Sequence, residues 1–325
     1  MRLHENKKLF QDAVIATSQQ KNIPELYVEK DYWVTYTLYN IFKSEIGNET
    51  VFKGGTALLK CFGLIQRFSE DIDLVILRNE TETGNQLKTK IRNISKCVSN
   101  ILPEIEMEGI TNKVGMIRKT AHKYERLFAG HFGQVRDCII VESAWLGNFE
   151  PFTTEKINSF IYEMMKEKNQ LLLIDEYEMN PFSVLVLSPK RTLCEKIMSL
   201  VRFSHAESPI ESLKNKIRHI YDIYWLLNDK EIYSFFRSSE FEIMLLKVAN
   251  DDIASFKNNN KWLFEHPATA ILFSETKNVW NRIKSVYIGS FSELVFGEMP
   301  DETEILKTLT MLTDRLRNIK WNIII

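Results

Sequence analysis

The chain has 325 residues, and its 42 Lys and Arg nearly cancel its 43 Asp and Glu, leaving a formal net charge of −1. That balance excludes a molecule-wide basic field for nucleic acid while leaving room for a local basic groove. Cys61, Cys97, Cys138 and Cys194 have no short paired spacing, which argues against a zinc site or a disulfide framework and fits a reducing compartment. The charged N-terminus lacks the apolar stretch of a signal peptide, and no apolar run approaches the roughly 20 residues a membrane helix requires. A soluble cytoplasmic protein with no membrane partner is expected.

Residues 12–42 read as helix, interrupted at Pro24, with Tyr32, Trp33, Tyr36, Leu38, Tyr39 and Phe42 at helical spacing. Trp33 and Tyr36 read as core packing. Val51 and Phe52 end a strand that breaks at Gly54 and Gly55, and residues 56–62 form a short helix. Residues 71–77 alternate acid and apolar before turning wholly apolar, the pattern of a strand entering a core. Residues 87–102 make another helix, stopped by Pro103. Two strands are expected within 123–146, turning at 130–133, and short strands at 171–174 and 184–187. Ser188 and Pro189 then supply a helix start. Helices follow at 189–203, 210–227, 231–236, 241–250, 274–287 and 302–319, with a polar loop at 257–261. A boundary near residue 187 therefore separates a mixed α+β part, 1–187, from a helical part, 188–325. The fold class is α+β, and no internal repeat is present.

The chemistry concentrates in residues 51–77. Asp71 and Asp73 are two apart, so on a strand both side chains leave one face with α-carbons about 6.5–7 Å apart. Two such carboxylates repel by about 2–3 kcal/mol at an effective dielectric near 20. A divalent cation reverses that sign, because Mg²⁺ is commonly held by one or two carboxylates plus substrate phosphates. An acid–apolar–acid strand alone is more often a wet edge, and a glycine pair alone is more often a turn. Here they stand in one order: Gly54 and Gly55 opening a short helix beside potential phosphates, Thr56 and Ser69 as hydroxyl donors, Arg67 as a fixed charge near a triphosphate, then the aspartates.

This order resembles the nucleotidyltransferase superfamily that includes DNA polymerase β, with a slightly longer glycine-to-aspartate gap. Four segments resemble successive motifs of the AbiEii/AbiGii toxin family: "EKDYWV" from Glu29, "FKGGTALLKCFGLIQRFSEDIDL" from Phe52, "LSPKRTLCEK" ending at Lys196, and "RHIYDIYWLL" from Arg218. The resemblance implies a polymerase β-like core, a small mixed sheet with flanking helices, and a helical second part whose Lys196 and Asp222 face the nucleotide site. It implies Mg²⁺ or Mn²⁺ at Asp71 and Asp73, and a third carboxylate on a neighbouring strand, for which Glu142 is the candidate because Ile140, Glu142 and Ala144 share a face. A solvent-facing strand glutamate is the plainer alternative.

The residues themselves bear on the helical motifs. Leu193, Ile197 and Leu200 form a stripe with Lys196 at its margin, where a lysine can meet a phosphate or lie along the surface. Arg191 and Glu195 are spaced to pair. Asp222 stands on a strongly apolar helix and needs a counter-charge; pairing with Arg218, with no catalytic duty, is one possibility. Lys30, Asp31 and His219 carry no assigned role.

The expected activity is transfer of a nucleoside monophosphate from an NTP to an acceptor, with pyrophosphate release. The resemblance implies a toxin of a toxin–antitoxin pair that causes growth arrest or abortive infection, with a cognate antitoxin and the 3′ end of tRNA as acceptor. The alternatives are nucleotidylation of a protein and a non-catalytic NTP-binding regulator.

Overall fold

The computed structural model describes residues 1–128, 135–256 and 259–323. The expected turn at 130–133 and the first two residues of the expected loop at 257–261 lie outside them. The chain divides into two compact units: Met1–Gly63, Phe68–Trp145 and Phe152–Leu187 in the first, and Leu64–Arg67, Leu146–Pro151 and Ser188–Ile325 in the second.

The first unit is built on a seven-stranded mixed sheet, which bears out the α+β class. Its strands are β1 (Thr50–Lys53), β2 (Ile72–Ile76), β3 (Glu104–Ile105), β4 (Ile117–His122), β5 (Ile139–Ala144), β6 (Phe152–Ile157) and β7 (Phe182–Leu187), in the order β3-β4-β5-β2-β1-β7-β6. The β2–β5 and β1–β7 pairs are parallel and the others antiparallel. Val51, Phe52, Ile72, Leu74, Val75, Ile76, Ile139, Ile140 and Val141 are fully buried, so the central strands are covered on both faces. Such strands read as continuous apolar runs, and an acid interrupting one stands out.

The covering helices are α1 (Lys7–Lys21), α2 (Glu25–Lys43), α3 (Gly54–Lys60), α4 (Gly84–Ser99), α5 (Phe160–Glu167) and α6 (Leu171–Glu176). Asn22 adopts a left-handed φ of 52° after α1, and Pro24 restarts the chain as α2. Thr83 and Gln86 cap α4 reciprocally.

Two expectations for this unit are corrected, and one strand was not anticipated. The first strand of the expected pair at 123–146 lies earlier, as β4, because Ile117–His122 pairs along the whole of β5. The run 171–174 is helix, not strand: Leu171 and Leu172 are exposed and only Ile174 is buried, one contact per turn rather than an alternating face. The polar β6, with little apolar signal, went unread; it pairs antiparallel with β7.

The second unit is helical, with α7 (Pro189–Ser204), α8 (Pro209–Lys214), α9 (Ile217–Asn228), α10 (Lys230–Arg237), α11 (Ser239–Ser255), α12 (Ile271–Ser274), α13 (Thr276–Val286) and α14 (Glu302–Arg317). Ser188 caps α7 by accepting from the Lys190 amide, with Pro189 in the first turn. The expected helix at 210–227 is two helices broken near Asn215, and that at 274–287 divides at Glu275. No helix among the described residues is long and apolar enough to cross a membrane.

Candidate active site

Register sets the centre of the sheet unit. Asp73 on β2 lies opposite Lys53 on β1 and beside Glu142 on β5, and Glu142 lies opposite Lys119 on β4. Directly paired residues on one face stand about 5 Å apart. Four adjacent strands thus carry a transverse row, Lys119–Glu142–Asp73–Lys53, with the acids in the middle. Lys119 Nζ donates to Glu142 Oε2 at 3.0 Å. Glu142 is the one residue of β5 that is not buried.

Asp71 immediately precedes β2 and is close enough to bear on Asp73. Burial, Glu142 and Asp71, in that order, push the Asp73 carboxyl up from 3.8 to about 7. Gly54 stands against this carboxylate. Its φ is +81°, and a Cβ there would fall 2.3 Å from Asp73 Oδ2, so only glycine satisfies both the backbone and the space. Thr56 and Ser69 act on the same strand: the Thr56 hydroxyl donates to the Asp71 carbonyl at 2.6 Å and lies 3.0 Å from the Ser69 hydroxyl. The Thr56 proton therefore braces the backbone that carries the aspartates. Gly55 follows in the first turn of α3 and is partly exposed.

The "EKDYWV" segment holds this centre together. Successive helical residues point about 100° apart, and Glu29, Lys30 and Asp31, all buried, reach three different segments. Glu29 accepts from the Leu127 and Phe128 amides. Lys30 pairs with Glu70 at 2.9 Å and donates to the carbonyls of Arg136 and Cys138. Asp31 pairs with Lys60 at the end of α3 and accepts from the Phe160 amide, which opens α5, at 2.8 Å. Burial raises all three carboxyl groups here, Glu29, Asp31 and Glu70. Trp33 is buried, as its reading as core requires. Arg136, not picked out from sequence, places Nη1 3.2 Å from Asp71 Oδ1.

A second constellation lies within the helical unit. Asp222 is fully buried, accepts from Arg67 Nε at 2.7 Å and Nη2 at 2.8 Å, and accepts from Lys196 Nζ at 2.7 Å. Arg67 and Lys196 thus supply it with two cations from outside its own helix. Burial alone would raise Asp222, but the guanidinium and the ammonium outweigh it and hold the carboxyl well below its usual range. Arg67 is thus placed on a carboxylate by two of its nitrogens, and Lys196 is only 5% exposed. His219 Nδ1 lies 3.4 Å from Lys196 Nζ; burial, then Lys196 and Lys216, keep it neutral at pH 7. Arg191 pairs with Glu195, as its spacing suggested, and also with Asp251 at 2.6 Å.

Among the described residues no group of three or more His, Cys, Asp or Glu side chains converges as a self-sufficient metal centre. The acidic row instead offers the few carboxylate oxygens that Mg²⁺ takes when substrate phosphates and water complete its shell.

Residues 36–289 match the family described as "Nucleotidyl transferase AbiEii toxin, Type IV TA system". In structure the chain is similar to MenT4, a nucleotidyltransferase toxin from Mycobacterium tuberculosis H37Rv, with 15% identity, a TM-score of 0.43, and coverage of 92% of this chain and 98% of that one. No curated protein matches the sequence.

Proposed function

Since the chain belongs to the AbiEii nucleotidyl transferase toxin family of type IV toxin–antitoxin systems, we propose that Asp71 and Asp73 hold the Mg²⁺ or Mn²⁺ that carries its NTP, and that the acceptor is the 3′ end of tRNA. The observation that carries the metal reading is the convergence of Glu142 and Asp71 on Asp73; burial, Glu142 and Asp71 together lift its carboxyl to about 7. A group so destabilised as an anion is stabilised by an added cation, and Gly54 leaves the carboxylate room that any side chain would fill. Asp71 and Asp73 would hold this cation, which when bound would offset their charge and polarise the phosphate to be attacked. Asp71 and Asp73 orient the triphosphate. Glu142 takes the proton from the acceptor hydroxyl as its oxygen bonds to the α-phosphorus; the bond to the bridging oxygen breaks and pyrophosphate leaves.

The tRNA acceptor rests on family likeness alone. As a toxin of a type IV system the protein has an antitoxin counterpart, and a cytoplasmic site of action follows from a tRNA target. Lys196 and Asp222 are proposed as contributors by the same likeness, with Arg67 fixing Asp222.

The test combines the purified chain with labelled NTPs, Mg²⁺ and total RNA or cell lysate. Label at tRNA 3′ ends is expected; label in protein would replace the acceptor, and none in either would leave an NTP-binding regulator. Induced expression should arrest growth, and an Asp71→Ala/Asp73→Ala double variant should not. Equal toxicity from both would remove catalysis from the explanation.

A further inference from the structure

We propose that Arg136 is a triphosphate-binding residue, held on Asp71 until nucleotide arrives; the inference rests on the reading of Asp71 and Asp73 given above. Both backbone groups of Arg136 are clamped by one buried ion pair. Its amide lies 3.1 Å from each Glu70 carboxylate oxygen, and its carbonyl accepts from Lys30 Nζ. Lys30 is 0% exposed and Glu70 2%. Placing such a pair in a protein interior is unfavourable unless the geometry and the further hydrogen bonds are good. Here those further bonds go to Arg136 and Cys138, so the pair fixes where the Arg136 side chain starts.

That side chain behaves differently from its backbone. It is 37% exposed, and its Nη1 meets Asp71, itself 32% exposed, at 3.2 Å and lies farther, at 3.6 Å, from buried Glu70. The Asp71 pair is open to water, hence weak and readily exchanged, while the longer contact to Glu70 keeps the guanidinium near its base. A metal ion and the guanidinium compete for the same carboxylate. Once a metal takes the Asp71 oxygens, a planar cation anchored on a rigid base stands beside them. The partner such a fork suits is a phosphate, which it engages through two parallel hydrogen bonds. The same argument applies less strongly to Lys119 on Glu142, because an ammonium lacks the fork.

The proposal requires opposite effects on two bindings, measured by calorimetry on the full chain. With Mn²⁺ alone, Arg136→Gln should tighten binding by about threefold, since a competing surface charge is gone. With magnesium and inorganic tripolyphosphate, the same variant should bind about tenfold more weakly, the loss of a charge-assisted hydrogen bond. Arg136→Lys should recover part of the tripolyphosphate affinity. Unchanged tripolyphosphate binding, or equal weakening of both ligands, would overturn the assignment. Asp73→Asn serves as the control on the site itself: if Mn²⁺ binding does not depend on Asp73, the metal reading fails and this inference with it. If it does and only the Arg136 variants are silent, the failure belongs to Arg136.

Discussion

Asp73 in the sheet and Asp222 among the helices are the same side chain in opposite electrostatic settings. Asp222 is fully buried and has three hydrogen bonds from two cations, so its carboxyl lies well below the usual range. Burial, with the neighbouring carboxylates of Glu142 and Asp71, raises the Asp73 carboxyl to about 7. Where the protein supplies its own counter-ions, a buried acid is fixed and acts as a cornerstone. Where it gathers acids without enough neutralisation, the site is left to be completed from outside. The contrast separates a carboxylate held ionised by the protein's own cations from one that an added cation would stabilise.

The hardest blow to the first member is Asp222→Ala. It removes the carboxylate that Arg67 and Lys196 share in the interior, and a loss of about 3–5 kcal/mol in denaturant unfolding is expected; a loss below 1 kcal/mol would mean that other groups suffice for the two cations. Gly54→Ala attacks the second member by geometry. A left-handed alanine costs about 1–2 kcal/mol, and its Cβ would fall on Asp73 Oδ2. Nucleotide transfer should vanish while the far-UV circular dichroism of the folded chain stays unchanged. Retained activity would mean that the carboxylate has another working position.

Asp73→Asn sharpens the contrast through pH. An acid whose folded carboxyl is raised binds its proton more tightly when folded, so its ionised form opposes folding. Relative to the variant, the wild-type chain should lose stability as pH rises from about 4 to about 7. The difference expected at pH 8 is about 1 kcal/mol, discounted for partial exposure. A wild type more stable than Asp73→Asn at pH 8 would reverse the sign and sink the comparison. The smallest effect is at His219. Its folded value lies below 6.5, so the stability it allows at neutral pH is lost as pH falls through about 6.5. His219→Asn should flatten that part of the acid-unfolding curve. An unaltered curve would place the acid sensitivity elsewhere, for example at buried His122.

What the sequence disclosed follows from how local each signal is. Asp71, Asp73 and the glycine pair sit within 20 residues, and strand periodicity alone brings the acids to one face. Glu142 was reachable as the acid interrupting an apolar strand. Lys119 and Arg136 were not, because their places depend on the pairing of β4 with β5 and on a buried ion pair joining α2 to the lead-in of β2. The same limit explains Asp222. Helical spacing offered only Arg218, one turn away, whereas Lys196 stands 26 positions and Arg67 155 positions earlier in the chain. The leucine-rich run at 171–174 misled in the other direction, since composition does not reveal that two of its leucines face water.

The three consecutive charges of α2 bear on when the enzyme becomes dangerous to the cell that makes it. Their partners are spread from Lys60 and Glu70 to Leu127, Arg136 and Phe160. A nascent chain that has emerged only to about residue 130 contains the glycines and both aspartates, yet Lys30 lacks its carbonyls and Asp31 lacks its amide. The proposed catalytic centre therefore gains its supports late in translation, and ribosome-stalled chains ending before and after Phe160 should differ sharply in protease resistance around residues 50–76.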